Sequence, residues 1–229
     1  APGLAALVAT AAVAMLGTGN GGVLLAVALG MFVVAAAARD LATAVSTRRR
    51  RFGIRRAFVT VVHGDPAHWG GQLSHVGVAL ITVAIVASTG LSERSEITIP
   101  PAGTATFAGY AFAYNGVEER NEEFRQVQAA QIVVQDDTGP AITLEPRFHY
   151  YPGYRLPVAT PDVMRTWRGD LYLSLAGLSD RGVVLDAYYF PGMWLLWTGG
   201  IVTAAGGLWS LWTRRRRARS HAGKEAVRA

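Results

Sequence analysis

The chain has 229 residues, a mean hydropathy of +0.23 and a formal net charge of +6. A soluble domain of this length would not carry several long apolar runs without charges, so the composition indicates a membrane protein. The absence of cysteine excludes thiol catalysis, thiolate metal sites and disulfides.

The charge is distributed unevenly along the chain. Seven arginines lie between Arg39 and Arg56, seven further basic residues lie between Arg214 and Arg228, and residues 91–190 hold 13 of the 16 acids. The positive-inside rule places both basic runs in the cytoplasm and the acidic middle across the membrane. Because the basic residues flank apolar runs, the high pI does not indicate nucleic-acid binding, and we expect no nucleic-acid partner.

Residues 1–46 are predicted to form two transmembrane helices. Ala1–Gly17 is short for a full crossing, so we expect a truncated first helix and a piece of a larger membrane protein. Val23–Val45 reaches the length of about 20 residues that one crossing needs. Residues 47–66 are predicted as a cytoplasmic basic loop, in which Phe52–Pro66 forms a short amphipathic segment at the interface.

Residues 67–90 are predicted to form the next transmembrane helix, which carries His75 in its cytoplasmic half. An ionisable side chain inside the membrane is costly and is a functional hypothesis by default. Gly71 and Ala79 lie on the same helical face, and their small size would let a flat group approach the imidazole. This pattern suits an axial haem ligand. The pattern is also consistent with a histidine that is hydrogen-bonded to another helix, and it leaves both interpretations open.

Residues 91–190 are predicted to form a periplasmic β-domain, because short alternating or β-branched runs are separated by turn residues. The predicted strands are Glu96–Pro100, Tyr110–Val117, Val127–Gln135, Ala141–Phe148, Leu171–Leu175 and Val183–Tyr189. Six strands without a long helix indicate a small barrel or sandwich. The aromatic residues expected in its core are Phe107, Tyr110, Phe112, Tyr114, Phe124 and Phe148.

Two polar or aromatic clusters in this domain have simple interpretations. Four glutamates between Glu118 and Glu123 are expected at a solvated hairpin tip, because no histidine or ordered ligand spacing accompanies them. His149–Tyr154 is an aromatic loop that contacts a partner or the membrane surface, or that packs within the domain.

Residues 191–212 are predicted to form the last transmembrane helix. Gly199, Thr203 and Gly207 repeat at every fourth residue, as in close helix packing. Tryptophans lie toward both ends of the run, as in an interfacial aromatic belt. Residues 213–229 form a basic tail that is expected in the cytoplasm. The predicted fold class is therefore membrane α plus soluble β, with about four transmembrane helices and a small all-β extracytoplasmic domain inserted before the last one.

The order of several short motifs resembles that of the CcmF/CcsA family of haem-handling membrane proteins, and most closely the C-terminal part of its CcmF haem lyases. The motifs are Leu73–Val78 with its central His75, Gly90–Arg94, Ala108–Phe112, Glu145–Phe148, Pro161–Val163, Gly169–Leu173 and Tyr188–Pro191. The resemblance covers about Arg50 to Arg217. No single motif is specific, but their order and spacing around two helices are.

The resemblance implies a role in bacterial system I cytochrome c maturation, in the inner membrane. It implies that His75 is an axial ligand to the iron of a haem b, whose second axial ligand lies outside this sequence, and that a transferred haem is the substrate. The implied partners are a periplasmic haem chaperone, the components that present apocytochrome, apocytochrome c itself and the upstream half of the same protein. Haem lyase activity is expected only of the full-length protein or complex.

A second hypothesis assigns the chain to a different class. It is a non-catalytic membrane scaffold whose periplasmic β-domain recruits partner subunits, with His75 as an interhelical hydrogen-bonding group. A transporter is less consistent with the sequence, which lacks paired broken helices.

Overall fold

The chain folds into two units in the computed structural model, which describes residues 1–15, 19–136 and 139–226. Ala1–Gly90 and Met193–Ala229 form a helical unit, and Leu91–Gly192 form a β-sandwich. Side chains at residues 51–52 and from residue 213 onward lie outside this description.

The described residues of the helical unit form five α-helices. They are α1 (Pro2–Met15), α2 (Gly21–Phe52), α3 (Ile54–Gly64), α4 (Pro66–Gly90) and α5 (Met193–Ala226). Two segments, Gly21–Arg50 and Pro66–Gly90, are long and apolar enough to cross a membrane, and α1 is a shorter apolar helix. The predicted total of about four crossings and the periplasmic location of the β-domain stay predictions.

The basic segment 47–66 differs from the expected loop, because it is helical almost throughout. The arginine run continues α2 to Phe52, since arginine is a good helix former. The break falls at Gly53, whose φ of 73° lies in the left-handed region that glycine tolerates, and its N–H donates to the carbonyl of Arg49 at 3.0 Å. The amphipathic segment expected here is α3, which buries Ala57 and Val61.

Helices α4 and α5 approach each other at backbone distance. A Cβ added at Gly70 would lie 2.7 Å from the carbonyl oxygen of Gly206, and one added at Gly199 would lie 2.8 Å from that of Gly77. Between these contacts, the Ser74 hydroxyl donates to the carbonyl of Thr203 at 3.1 Å. The predicted small-residue stripe does pack closely, although Gly206 makes the closer contact in place of Gly207.

A second face of α4 packs on α2. A Cβ at Gly30 of α2 would lie 2.6 Å from the Val83 side chain, which shows how little room separates the two helices. At one end of this pair, the Asn20 side-chain oxygen accepts from the N–H groups of Gly22 and Val23 and caps α2. The same amide donates to the carbonyl of Gly90, the last residue of α4, at 3.3 Å.

The residues of the β-sandwich that the structure describes form ten strands in two sheets. The strands are β1 (Glu93–Ile99), β2 (Thr104–Phe107), β3 (Tyr110–Glu122), β4 (Arg125–Gln135), β5 (Ile142–Leu144), β6 (Arg147–Tyr150), β7 (Val158–Thr160), β8 (Asp162–Arg165), β9 (Gly169–Ser179) and β10 (Gly182–Pro191). One sheet has the order β1-β10-β9-β8, and the other has the order β2-β3-β4-β6-β7, with β5 paired to β4. Of the two predicted architectures, barrel and sandwich, the two sheets show that the domain is a sandwich.

The core lies between the two sheets because buried residues alternate along each long strand. Leu171, Leu173 and Leu175 point inward from β9, and Phe112 of β3 is fully buried. Tyr110, Tyr114 and Phe148 are buried as predicted, and Phe107 packs against the core. The prediction for Phe124 was wrong, because this residue lies in the β3–β4 turn and is 74% exposed.

The sequence also misjudged several strands. Ala141–Phe148 was expected as one strand, but Pro146 has no N–H for the ladder, so the run divides into β5 and β6. Strands β2, β7 and β8 were missed because three or four residues give too short a pattern to recognise. Residues 137–138 lie outside the described part of the chain.

The glycine contact between α4 and α5 predicts a position-specific loss of stability. Gly199→Leu places a side chain against the Gly77 carbonyl and forces the helices apart, which we expect to cost about 1–3 kcal/mol. The matched control is Gly200→Leu, because a Cβ at Gly200 meets nothing within 4 Å. The measurement is the thermal unfolding midpoint in detergent, and equal losses in the two variants would contradict the packing described.

Candidate functional site

His75 lies on α4 at the edge of a groove between α2 and α4, and its side chain is exposed. Its Nδ1 lies 2.7 Å from the carbonyl oxygen of Gly71, one turn earlier. Because a carbonyl oxygen only accepts, this contact assigns the proton to Nδ1 and leaves a lone pair on Nε2. Metal-binding histidines commonly donate their second N–H to a backbone carbonyl in this way.

A groove of about 420 Å³ borders the imidazole between α2 and α4. The residues lining it are Phe32, Val33, Ala36, Ala67, His68, Gly71, Gln72 and His75. A Cβ added at Gly71 would meet nothing within 4 Å, so the face beside the ring is open. The expectation that Ala79 also leaves open space was wrong, because Ala79 is buried and its carbonyl lies near Gly30 of α2.

A polar cluster lies at the same groove, and sequence reasoning missed its acidic member. Asp40 is the only acid in α2, and its Oδ2 lies 3.5 Å from His68 Nε2 and accepts from Gln72 Nε2 at 3.4 Å. The three side chains therefore link α2 to α4 on the side where His75 lies. A carboxylate in an otherwise apolar helix was the signal that could have revealed this cluster.

In this arrangement, Nε2 of His75 can donate its lone pair to a metal ion that is held in a flat ligand. Apolar side chains from α2 form the wall opposite the imidazole, and Gly71 provides clearance on the α4 side. Within the described ranges, no group of three or more His, Asp or Glu residues could hold a bare metal ion. The groove thus suits a metal carried by its own macrocycle rather than an ion bound by several side chains.

The acidic hairpin of the β-sandwich is solvated, as the sequence predicted. Arg120 Nε lies 2.7 Å from Glu118 Oε1, and Arg125 Nε lies 2.6 Å from Glu122 Oε2. Hydrogen bonds from these arginines lower the pKa of both carboxyl groups. All four glutamates of the hairpin are exposed, and exposed pairs of this kind add little stability.

The aromatic loop His149–Tyr154 lies beside this hairpin, because Tyr150 pairs with Gln126 at the start of β4. Arg125 Nη1 donates to the Tyr151 hydroxyl at 3.2 Å, and the Tyr151 ring contacts that of Tyr154 at 6.2 Å. We name the exposed rings of Phe124, Tyr150 and Tyr154 the distal aromatic patch.

The sandwich defines the class of protein. Residues 90–191 match the family described as the CcmF C-terminal beta-sandwich. The predicted resemblance to the C-terminal part of CcmF is thereby confirmed.

Particular relatives extend the similarity beyond the sandwich. The chain is 30% identical over 161 residues to the cytochrome c-type biogenesis protein CcmF of Haemophilus influenzae, covering 70% of this chain and 25% of the relative. It is 27% identical over 221 residues to CcmF of Pseudomonas fluorescens, covering 95% of this chain and 32% of that protein. It is 28% identical over 194 residues to the cytochrome c-type biogenesis protein CycK of Bradyrhizobium diazoefficiens, with 84% and 29% covered.

A solved structure titled cytochrome c heme lyase CcmF shares the fold, with a TM-score of 0.72 at 20% identity. The superposition covers 91% of this chain and 33% of that one. The chain spans about a quarter to a third of the length of the curated relatives it matches.

His149 gives the sandwich a predicted pH dependence. It is buried at 8% exposure, and burial, followed by the nearby charge of Arg125, lowers its pKa below the ordinary value of 6.5. As the pH falls below 6.5, His149 is therefore protonated more readily in the unfolded chain than in the folded domain. Stability should be complete above pH 6.5 and should fall as the pH drops toward the folded pKa.

The thermal unfolding midpoint measured at decreasing pH checks this. His149→Phe should flatten the acid side of the profile, whereas the exposed His63→Phe should keep the profile of the unmodified chain. An acid loss that survives His149→Phe undiminished would assign the pH dependence to other groups.

Proposed function

We propose that this chain forms the C-terminal module of a membrane haem lyase for cytochrome c maturation, and that His75 is an axial ligand of a resident haem b. The observation that carries the proposal is the free Nε2 of His75 beside the open face at Gly71. An imidazole directed at lipid from an apolar helix is unfavourable unless a partner group covers it. The description of the similar solved structure as a cytochrome c heme lyase supports haem as that group.

The groove residues fit this role. The Gly71 carbonyl holds the ring orientation and the Nδ1–H tautomer, so Nε2 stays available for iron. Phe32, Val33 and Ala36 would exclude water from the ring face. Asp40, His68 and Gln72 hold α2 beside α4, which keeps the groove at a fixed width. When bound, the haem would supply the electron that keeps the transferred iron reduced.

The proposed topology follows the charge distribution. The arginine-rich end of α2 and the basic end of α5 lie in the cytoplasm of a bacterial inner membrane, and residues 91–190 lie in the periplasm. Helices α4 and α5 both cross the bilayer in this arrangement. The second axial ligand and most ligation residues would belong to upstream sequence, and the haem chaperone and apocytochrome c would meet the assembled protein.

The ligand assignment predicts a spectroscopic loss. His75→Ala in the full-length protein should remove the b-type haem absorbance per mole of purified protein, because one axial ligand is lost. The matched control is His63→Ala, an exposed histidine outside the groove, which should retain the absorbance. Membrane insertion should be unchanged in both variants, and a b-type spectrum that persists in His75→Ala would reject the ligand assignment.

A second variant separates ligand loss from misfolding. Gly71→Leu keeps His75 and places its side chain in open space, so α4 should fold normally while the haem face is blocked. Gly200→Leu, at an equally open glycine of α5, is the control for added bulk. Loss of haem in Gly71→Leu alone supports binding of haem in the groove. Equal haem content in the two variants would indicate that haem binds elsewhere.

A second candidate function rests on the distal aromatic patch. Phe124 and Tyr154 are 74% and 75% exposed, and they lie at the end of the sandwich that carries the acidic hairpin. Exposed aromatic side chains of this kind are common at protein interfaces. They favour a scaffold role in which the sandwich recruits a maturation partner.

The double variant Phe124→Ser/Tyr154→Ser tests the scaffold role. We expect weaker co-purification of maturation components with the full-length protein, with haem content unchanged. The control replaces two exposed edge-strand residues, Val158→Ser and Thr160→Ala. If the double variant recovers as much of the partner proteins as the unmodified protein does, the distal aromatic patch has no scaffold role.

A further inference from the structure

Both connections of the sandwich to its neighbouring helices lie at one end of the four-stranded sheet. Strand β1 begins at Glu93, which pairs with Tyr189 near the end of β10. Strand β10 ends at Pro191, which pairs with Gly169 at the start of β9. The β8–β9 turn, residues 166–168, therefore lies at this same end. We name it the helix-proximal end.

The chain length keeps this end near the helix termini. Helix α4 ends at Gly90 and β1 begins at Glu93, while a single residue, Gly192, separates β10 from α5. Three residues span at most about 10 Å at 3.3–3.6 Å each. The inference rests on the proposed crossing of the membrane by α4 and α5, which then holds the helix-proximal end close to the lipid surface.

The β8–β9 turn has the side chains that a lipid surface binds. Trp167 is 80% exposed, and the flanking Arg165 and Arg168 are exposed as well. Indole rings are enriched at the headgroup level, where one edge is apolar and the other meets water. A guanidinium binds phosphate through two parallel hydrogen bonds.

Hydrogen bonds brace the backbone of the turn. Thr166 donates to the Gly169 carbonyl through both its hydroxyl at 2.7 Å and its N–H at 3.1 Å. The Gly192 N–H donates to the Arg168 carbonyl at 3.3 Å, which ties the turn to the last residue before α5. These hydrogen bonds hold the backbone of the turn, from which the exposed Trp167 side chain projects.

The distribution of charge in the sandwich is consistent with binding of a lipid surface at the helix-proximal end. Strand β3 starts at Tyr110, whose hydroxyl lies 3.5 Å from Thr166 Oγ1, and runs 13 residues to Glu122 at the opposite end. The acidic hairpin thus lies away from the helix-proximal end. Glu93 and Asp170 also lie at the helix-proximal end beside Arg165 and Arg168, and Arg94 there is paired with Asp186 at 3.3 Å.

We propose that residues 165–168 are a membrane-surface anchor, in which Arg165 and Arg168 bind the phosphodiester headgroups of the lipid and Trp167 enters the headgroup layer. The occupant is the bilayer in which the chain itself is embedded. The anchor would fix how far the sandwich tilts relative to the membrane.

The lack of native cysteine makes a direct test possible. The full chain, reconstituted in liposomes with phosphatidylglycerol, carries a bimane fluorophore at Trp167→Cys or, as the matched control, at Phe124→Cys. Both are exposed aromatic residues in turns of the sandwich, at its two ends. Lipids with a nitroxide on the headgroup, present in both leaflets, should quench the fluorophore at position 167 several-fold more than the one at position 124.

A charge variant distinguishes binding from mere proximity. Arg165→Ser/Arg168→Ser should abolish most of the lipid quenching at position 167, whereas Arg155→Ser/Arg181→Ser, with the same change in net charge, should leave it intact. Equal quenching at the two positions overturns the proposal. So does quenching that ignores the arginine variants, because the covalent tether alone would then explain it.

A fluorophore at position 167 shielded from both nitroxide lipid and aqueous iodide also overturns the anchor, since a protein surface would then cover the turn. These readouts are independent of haem. A b-type spectrum that persists in His75→Ala would refute the ligand assignment without changing the quenching ratio, and failure of the chain to float with liposomes would refute the topology itself.

Discussion

The backbone contact between α4 and α5 is the constraint on which the helical unit depends. Gly70 and Gly77 place one face of α4 directly against α5, where any larger side chain would collide with a carbonyl group. Val83 and Gly90 commit a second face to α2. His75 lies at the edge of the α2–α4 groove, where neither contact covers its side chain. The exposure of the imidazole is thus a consequence of packing elsewhere on the same helix.

The two ends of the β-sandwich have different chemistry, and the strand register produces the difference. Antiparallel pairing brings the start of β1, the end of β10 and the β8–β9 turn together, whereas the long β3–β4 hairpin extends the other way. Arginines flank Trp167 at one end, and glutamates surround Phe124 at the other. A domain connected to helices at one end only can use its opposite end for a soluble partner.

Sequence patterns predicted several of the long elements well, and the role of His75 stays a prediction. The apolar runs identified α2 and α4, and the alternation in residues 169–191 identified β9 and β10, because these signals extend over many residues. The imidazole at position 75 was evident because an ionisable residue is rare in such a run.

Other features depended on tertiary contacts that no local pattern encodes. The Asp40–His68 pair joins positions 28 residues apart, so it required the packing of α2 on α4. The same packing buries Ala79, which the helical spacing alone placed on an open face. Phe124 was expected inside because aromatic residues favour cores, but a turn position overrides that preference.

Asn20 has a consequence for how the helical pair sits in a bilayer. One carboxamide uses its oxygen for the first amides of α2 and its nitrogen for the last carbonyl of α4. Two antiparallel helices therefore share a single polar group at their common boundary, and neither can slide along the other without leaving backbone atoms unsatisfied. In the proposed topology, Asn20 would therefore hold the start of α2 and the end of α4 at one level of the membrane, and with them the level of His75.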